Sequence, residues 1–496
     1  MMETVLHISN ACPRSDAFRF ESPLNWTLKK KEHWAILGPN GGGKTVFSTV
    51  LSGKIPLKEG LITYCFQDNK PLYEQIKCAT FQHIYSLADY KNMYYQQRWH
   101  ATEAESPVVG DILNESGDKA IIAEYVSVFG IENLLDKKLI LLSSGELRKF
   151  LIIRILLSNP TVLVLDNPYI GLDAESRDLL NELLLRIAGK EGLQIILLLS
   201  DPDDIPSFIT HVLPVKNKKL LPACTREVFL KNTALLRELF PPYTPCCGVE
   251  KLPFREIQRE NAQSIDKLSY TNAIEMKNIH IQYGNSIILN NLTWTIKKGE
   301  KWALLGPNGA GKSTLLSLVC ADNPQGYANT FYLFDKKRGS GESIWDIKKR
   351  IGYISPEVHL YFHSPQTNLQ IVGSGFFDSI GLYRKCNENQ IAIARKWMSV
   401  FGIEHLADKP FMQLSFGEQR LVILARAFVK SPDLLILDEP LHGLDRCNKK
   451  KVIAIIENFC LETNATLIYV THYLNEIPEC INKQFQMNLK VEVKLP

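Results

Sequence analysis

GPNGGGKT at Gly38–Thr45 recurs as GPNGAGKST at Gly306–Thr314. The approaches match too: Leu24–Leu37 reads LNWTLKKKEHWAIL, and Leu292–Leu305 reads LTWTIKKGEKWALL. The pattern G-x-x-x-x-G-K-[ST] has a mechanical reason. Its glycines let successive backbone N–H groups turn inward around a phosphate, the lysine reaches the β- and γ-phosphates, and the hydroxyl ligates Mg²⁺. The following helix directs its N-terminus at the anion. The first phosphate loop is therefore Gly38, Pro39, Asn40, Gly41, Gly42, Gly43, Lys44 and Thr45. The second is Gly306, Pro307, Asn308, Gly309, Ala310, Gly311, Lys312, Ser313 and Thr314.

A chain of 496 residues is too long for one ordinary core. The pairs Lys44/Lys312 and Trp34/Trp302 share one offset, and Asp166/Asp438 nearly share it, so a whole domain has been duplicated. The reading is a first domain over 1–240, a linker over 241–272 and a second domain over 273–496. Short apolar runs at His33–Leu37, Val162–Leu165 and Gln194–Leu199 predict strands buried on both faces. Helical stretches such as Lys44–Leu51 and Glu146–Leu157 lie between them. This alternation predicts an α/β fold with a mainly parallel sheet in each half. The linker balances Lys251, Arg255, Arg259 and Lys267 against Glu250, Glu256, Glu260 and Asp266, so it is neutral. The poorly matched stretches Gln67–Leu113 and Tyr361–Asn389 are candidate partner-facing subdomains, with a packed helical layer as the plainer alternative.

A net charge of +4 gives no electrostatic case for nucleic acid. Eleven scattered cysteines, with no C-x-x-C pair, read as free thiols in a reducing cytosol. Met1–Arg14 lacks the apolar core of a signal peptide. The apolar run at Ile195–Leu199 is far short of the ~20 residues of a spanning helix. The expectation is a cytoplasmic protein, peripheral on the inner membrane if a membrane partner recruits it.

Asp166 closes the run VLVL and Asp438 the run LLIL. A carboxylate at such a strand end holds Mg²⁺ directly or through water. Glu439 follows Asp438 and can orient and deprotonate an attacking water. Its counterpart, Asn167, cannot take a proton.

LSSGE at Leu142–Glu146 and LSFGE at Leu414–Glu418 lie just upstream of the two Asp strands. The order of motifs resembles the ABC-type ATPases over nearly the whole chain. That resemblance implies ATP and Mg²⁺ as cofactors and two fused P-loop ATPase domains, each with a helical subdomain, stacked head to tail. Each ATP would lie between the phosphate loop of one half and the signature of the other. The signature groups implied are Ser143 and Gly145, and Ser415 and Gly417, with Ser144 and Phe416 replacing the usual middle glycine. The Mg²⁺ ligands implied are Thr45 with Asp166 and Ser313 with Asp438. Gly171-Leu172-Asp173 and Gly443-Leu444-Asp445 match the D-loop, and His472 matches the switch histidine. Tyr283 matches the adenine-stacking aromatic; Ser15 stands opposite it, with Phe18 and Phe20 as stand-ins. For the mid-domain glutamine, Gln67 is the candidate in the first half, and Pro356–Glu357 occupies the place in the second. Asp322–Ser355 and Phe376–Tyr383 resemble the molybdenum-associated tandem group of the family.

Under that pairing one composite site uses Lys312, Ser313, Asp438, Glu439 and His472, closed by Ser143 and Gly145. The other uses Lys44, Thr45 and Asp166, closed by Ser415 and Gly417, with Asn167 and Ser200 in the catalytic places. The expectation is two ATP sites, of which one turns over, with Glu439 and His472 as its catalytic residues. Three roles fit: the energy-coupling subunit of a separate membrane permease, a soluble tandem translation factor, or an ATP-dependent regulator. The neutral linker and Asn167 argue against the second. His359 and His363 read as loop-packing residues rather than metal ligands.

Overall fold

The structure, a computed structural model, describes residues 3–80, 107–241, 254–257 and 269–487, apart from 116, 140–141, 143, 171, 173, 191, 284–285, 308, 361, 363 and 380. The chain divides into two compact units. The first takes in the described residues up to 241 together with Gly443–Cys447; the second takes in the rest.

The first unit holds two sheets. Strands β1 (Thr4–Pro13), β2 (Leu24–Lys29) and β4 (Leu57–Tyr64) form an antiparallel sheet in the order β2-β1-β4. In β2, LNWTLK alternates buried and more exposed residues, the signature of a sheet with one covered face. The central sheet contains β3 (Trp34–Leu37), β5 (Ile76–Thr80), β6 (Val162–Asp166), β7 (Gln194–Leu199) and β8 (His211–Lys216). Its order is β8-β3-β7-β6-β5, all parallel, with β9 (Lys219–Leu220) and β10 (Cys224–Thr225) antiparallel on β8. Every residue of β3, β6 and β7 is buried, which is why these strands read as near-continuous apolar runs, polar only at Asp166 and Gln194 on their ends, rather than alternating.

The second unit repeats the plan. Strands β11 (Asn272–Tyr283), β12 (Ser286–Lys297), β14 (Phe331–Leu333) and β15 (Lys336–Lys337) form an antiparallel sheet ordered β12-β11-β14-β15. Strands β13 (Lys301–Leu305), β16 (Ile351–Ile354), β17 (Leu434–Asp438), β18 (Thr466–Val470) and β19 (Lys483–Gln486) form a parallel sheet ordered β16-β17-β18-β13-β19. Helices Asn368–Gly373, Glu388–Val400 and Phe416–Phe428 make a helical layer, each opened by a capping box. The layer closes on Trp397, which is fully buried among Phe254, Phe401, Phe428 and Phe459. Phe254 and Ile257, inside the segment read as a linker, are thus buried, and Phe254 belongs to this second core.

The predicted strands and helices stand where the sequence put them, to within two residues at the ends. The antiparallel sheets were not anticipated. Much of the candidate partner-facing stretch at 67–113 lies outside the described residues; in 361–389, Asn368, Ile371 and Val372 are buried as members of the helical layer.

Trp397→Ala would empty the centre of the aromatic cluster. It is expected to destabilise the second unit by about 3–5 kcal/mol, read as a lower midpoint of its denaturant unfolding transition.

Candidate functional site

In the first unit β3 ends at Leu37 and the loop turns into the helix Lys44–Leu51. The helix is entered through Gly43 at φ 106, a left-handed conformation that favours glycine. Lys44 is buried, and its Nζ donates to the carbonyls of Gly38 (2.7 Å) and Pro39 (2.9 Å). Burial lowers its ammonium to about 8, against the opposing pull of Asp166 and Asp445. Thr45 Oγ1 donates to Asp166 Oδ2 at 2.9 Å, at the end of β6. Burial likewise raises the Asp166 carboxyl, opposed by Thr45, Lys44 and Asn167. Asp445, which groups with this unit, accepts from the backbone N–H of Asn40 at 2.9 Å.

The residues beside Asp166 are engaged differently from a general base and its partner. Asn167 Nδ2 donates to Asp166 Oδ1 at 2.8 Å, so the amide is turned onto its neighbour. Ser200, at the end of β7, donates to Asn40 Oδ1 at 3.0 Å.

The second unit builds the same loop. Helix Lys312–Val319 is entered through Gly311 at φ 93, and Lys312 Nζ donates to the carbonyls of Gly306 (2.6 Å) and Pro307 (3.0 Å). Asn308 lies outside the described residues. Tyr283, half-buried at the end of β11, accepts at its hydroxyl from Asn323 Nδ2 (2.9 Å), which also reaches Ser317 of the loop's own helix (3.1 Å). The predicted base-stacking residue is thereby tied to the phosphate-loop helix.

Asp438 ends β17, and Glu439 follows at φ 47. His472 Nε2 lies 3.1 Å from Glu439 Oε1, and His442 Nδ1 lies 3.8 Å from Glu439 Oε2. Burial alone would raise the Glu439 carboxyl. The His472 hydrogen bond, with the charges of His442 and Arg420, outweighs it and brings it down to about 2. Structure and sequence agree in bringing Glu439 and His472 together.

The signature residue Ser415 is the N-cap of helix Phe416–Phe428. Its N–H and hydroxyl donate to Glu418 Oε2 at 2.8 and 2.7 Å, which explains why a carboxylate follows three residues on. Gly417 is buried in the first turn. In the first unit Gly145 stands in the first turn of helix Ser144–Leu156, while Ser143 lies outside the described residues.

Three placements differ from, or add to, the sequence reading. Gln67 is not the mid-domain glutamine. It follows β4 of the antiparallel sheet, whereas the strand matching β16 is β5, which pairs in parallel with β6 as β16 does with β17. The error came from reading ITYCFQ as a central strand. Of the aromatic stand-ins, Phe20 is a core residue against Phe47, while Phe18 stays exposed on the surface. Arg420 was missed. Fully buried, it donates to the carbonyls of Ser355 (3.1 Å), Asp438 (3.1 Å), Glu439 (2.6 Å) and Pro440 (3.2 Å). The signal was an arginine three residues beyond the signature glycine in both halves, Arg148 and Arg420, each buried.

Thr45 Oγ1 beside Asp166 Oδ2 is a hydroxyl–carboxylate oxygen pair of the kind Mg²⁺ prefers. Thr45 and Asp166 fit the ion; Ser313 and Asp438 hold the matching positions in the second unit.

The profile of the ABC transporter family matches residues 22–170 and 289–442. The ABC transporter ATP-binding protein ModF of Escherichia coli is 35% identical over 93% of this chain and 92% of its own length. An uncharacterized ABC transporter ATP-binding protein of Schizosaccharomyces pombe is 31% identical, with 93% of each covered. Among solved structures, archaeal ABCE1 in a model of the ribosome-bound Pelota complex shares the fold at a TM-score of 0.58 and 19% identity, covering 92% of this chain and 72% of that one. The chain belongs to the ABC transporter ATP-binding family, as a tandem member with two ATPase domains.

Proposed function

We propose that both halves bind Mg·ATP and that rapid hydrolysis occurs at one of the two sites, the one built on Lys312, Ser313, Asp438, Glu439 and His472. The observation that carries this is the contrast at the strand ends. Glu439 is a carboxylate held against His472 at 3.1 Å, whereas Asn167 is an amide spent on Asp166, with Ser200 in the histidine's place. Glu439 would accept the proton of the attacking water, and His472 would carry positive charge toward the γ-phosphate. Mg²⁺ would supply charge neutralisation at the phosphates. The other site, on Lys44, Thr45 and Asp166, would be retained mainly for binding ATP.

The energy of this cycle would drive a separate integral-membrane permease from the cytoplasmic face, in molybdate-related transport. The 35% identity to a protein named as an ABC transporter ATP-binding protein supports this, as does the resemblance of Asp322–Ser355 to the molybdenum-associated group. No helix among the described residues is long and apolar enough to cross a membrane, so the permease is cast as another chain. Affinity capture of the full chain from its own cells tests this role. A co-purifying permease supports it, and exclusive recovery with soluble partners overturns it in favour of an ATP-dependent regulator.

Glu439→Gln should lower kcat by ~10²–10⁴-fold while ATP binding persists, and Asn167→Ala should leave kcat nearly unchanged, both read by phosphate release. Equal losses would refute the assignment. Lys312→Ala should abolish turnover. Lys44→Ala should instead reduce the number of bound nucleotides from two to one, counted by equilibrium dialysis with labelled ATP.

A further inference from the structure

The Glu439 carboxylate has an imidazole beside each oxygen. His472 meets Oε1 at 3.1 Å, and His442 faces Oε2 at 3.8 Å. The terminal torsion of a glutamate is broad, so a single contact leaves the carboxylate plane free to turn. The proposed function asks His472 to leave Glu439 and reach the γ-phosphate. Something else must then hold the base in line with its water.

His442 is placed to do so, because it is itself braced. Its ring lies edge-on to Phe416, with centroids 6.2 Å apart and planes at 76°. Phe416 stacks face to face on His359 at 4.3 Å and 18°. His359 Nε2 is 3.1 Å from Gln419 Oε1, one turn along the signature helix. The residue that replaces a signature glycine is therefore a wedge between two imidazoles. The first half has Ser144, Ile170 and Asn167 at the positions of Phe416, His442 and Glu439. Wedge, imidazole and carboxylate are present together in one half and missing together in the other.

We propose that His442, braced by Phe416 and His359, is a positioning residue that keeps the Glu439 carboxylate oriented when His472 turns to the nucleotide. This rests on the reading of Glu439 as the general base. It adds a second role to the signature segment, which steadies the base of its own half.

The test is steady-state ATPase kinetics of the full chain carrying His442→Ala, Phe416→Gly, the double substitution, and His442→Gln. His442→Ala and Phe416→Gly should each lower kcat roughly tenfold, the scale of a misplaced catalytic group, with KM for ATP and the unfolding midpoint little changed. The double variant should be no worse than the stronger single, because the two residues act as one unit. His442→Gln, which returns a polar side chain of similar reach beside Oε2, should recover most of the loss. His359→Leu, remote from Glu439, should give a smaller loss in the same direction. Unimpaired His442→Ala beside an inactive Glu439→Gln overturns the clamp alone, as do multiplicative losses in the double variant. A Glu439→Gln chain that still turns over removes the base assignment, and the clamp with it.

Discussion

The buried guanidinium of Arg420 holds the candidate site of the second unit together. Four backbone carbonyls from two segments converge on it: Ser355, just after β16, and the turn Asp438–Glu439–Pro440 at the end of β17. Glu439 sits at φ 47, a conformation that a glutamate adopts only when its surroundings impose it. The imposing group lies on the helix that Ser415 caps. The helix that Ser415 caps, the end of β17 and Glu439 are thus one mechanical object. A charge this deep is tolerated because its donors are met by fixed carbonyl dipoles.

Much of the fold and site was legible because several features are local in sequence. A phosphate loop is eight or nine consecutive residues, and Asp166 and Asp438 end apolar runs that must be buried strands. Duplication doubled each signal. The unread parts are those made by contacts between distant residues. Gln67 looked like the end of a central strand because ITYCF is β-rich, yet β4 is antiparallel to β1, and only pairing could reveal it. Arg420 and His442 carry no motif; their importance follows from the carbonyls and the carboxylate that folding brings to them. Phe254 and Ile257 sit in a stretch whose composition reads as a linker, and nothing local announced that Phe254 stacks on Trp397.

The two halves share a scaffold while differing in chemistry. Both lysines fold onto the carbonyls of their own loops, and both loops enter their helices through a left-handed glycine. The differences sit at the ends of two neighbouring strands, where a few side chains decide whether a proton can move. A fold that tolerates such changes without altering strand order can keep a binding site while discarding its reactivity.

The amide of Asn167 lies on Asp166 Oδ1 at 2.8 Å. A glutamate placed there alone would set two carboxylates side by side, with Ser200 offering no positive charge to offset them. Like charges in a buried site repel, and one would be forced to take up a proton. In the second unit the carboxylate that follows Asp438 has His472 at 3.1 Å. A glutamate at 167 would call for a cation at 200 in the same way, so the residues at these two strand ends are electrostatically linked and neither changes character independently of the other.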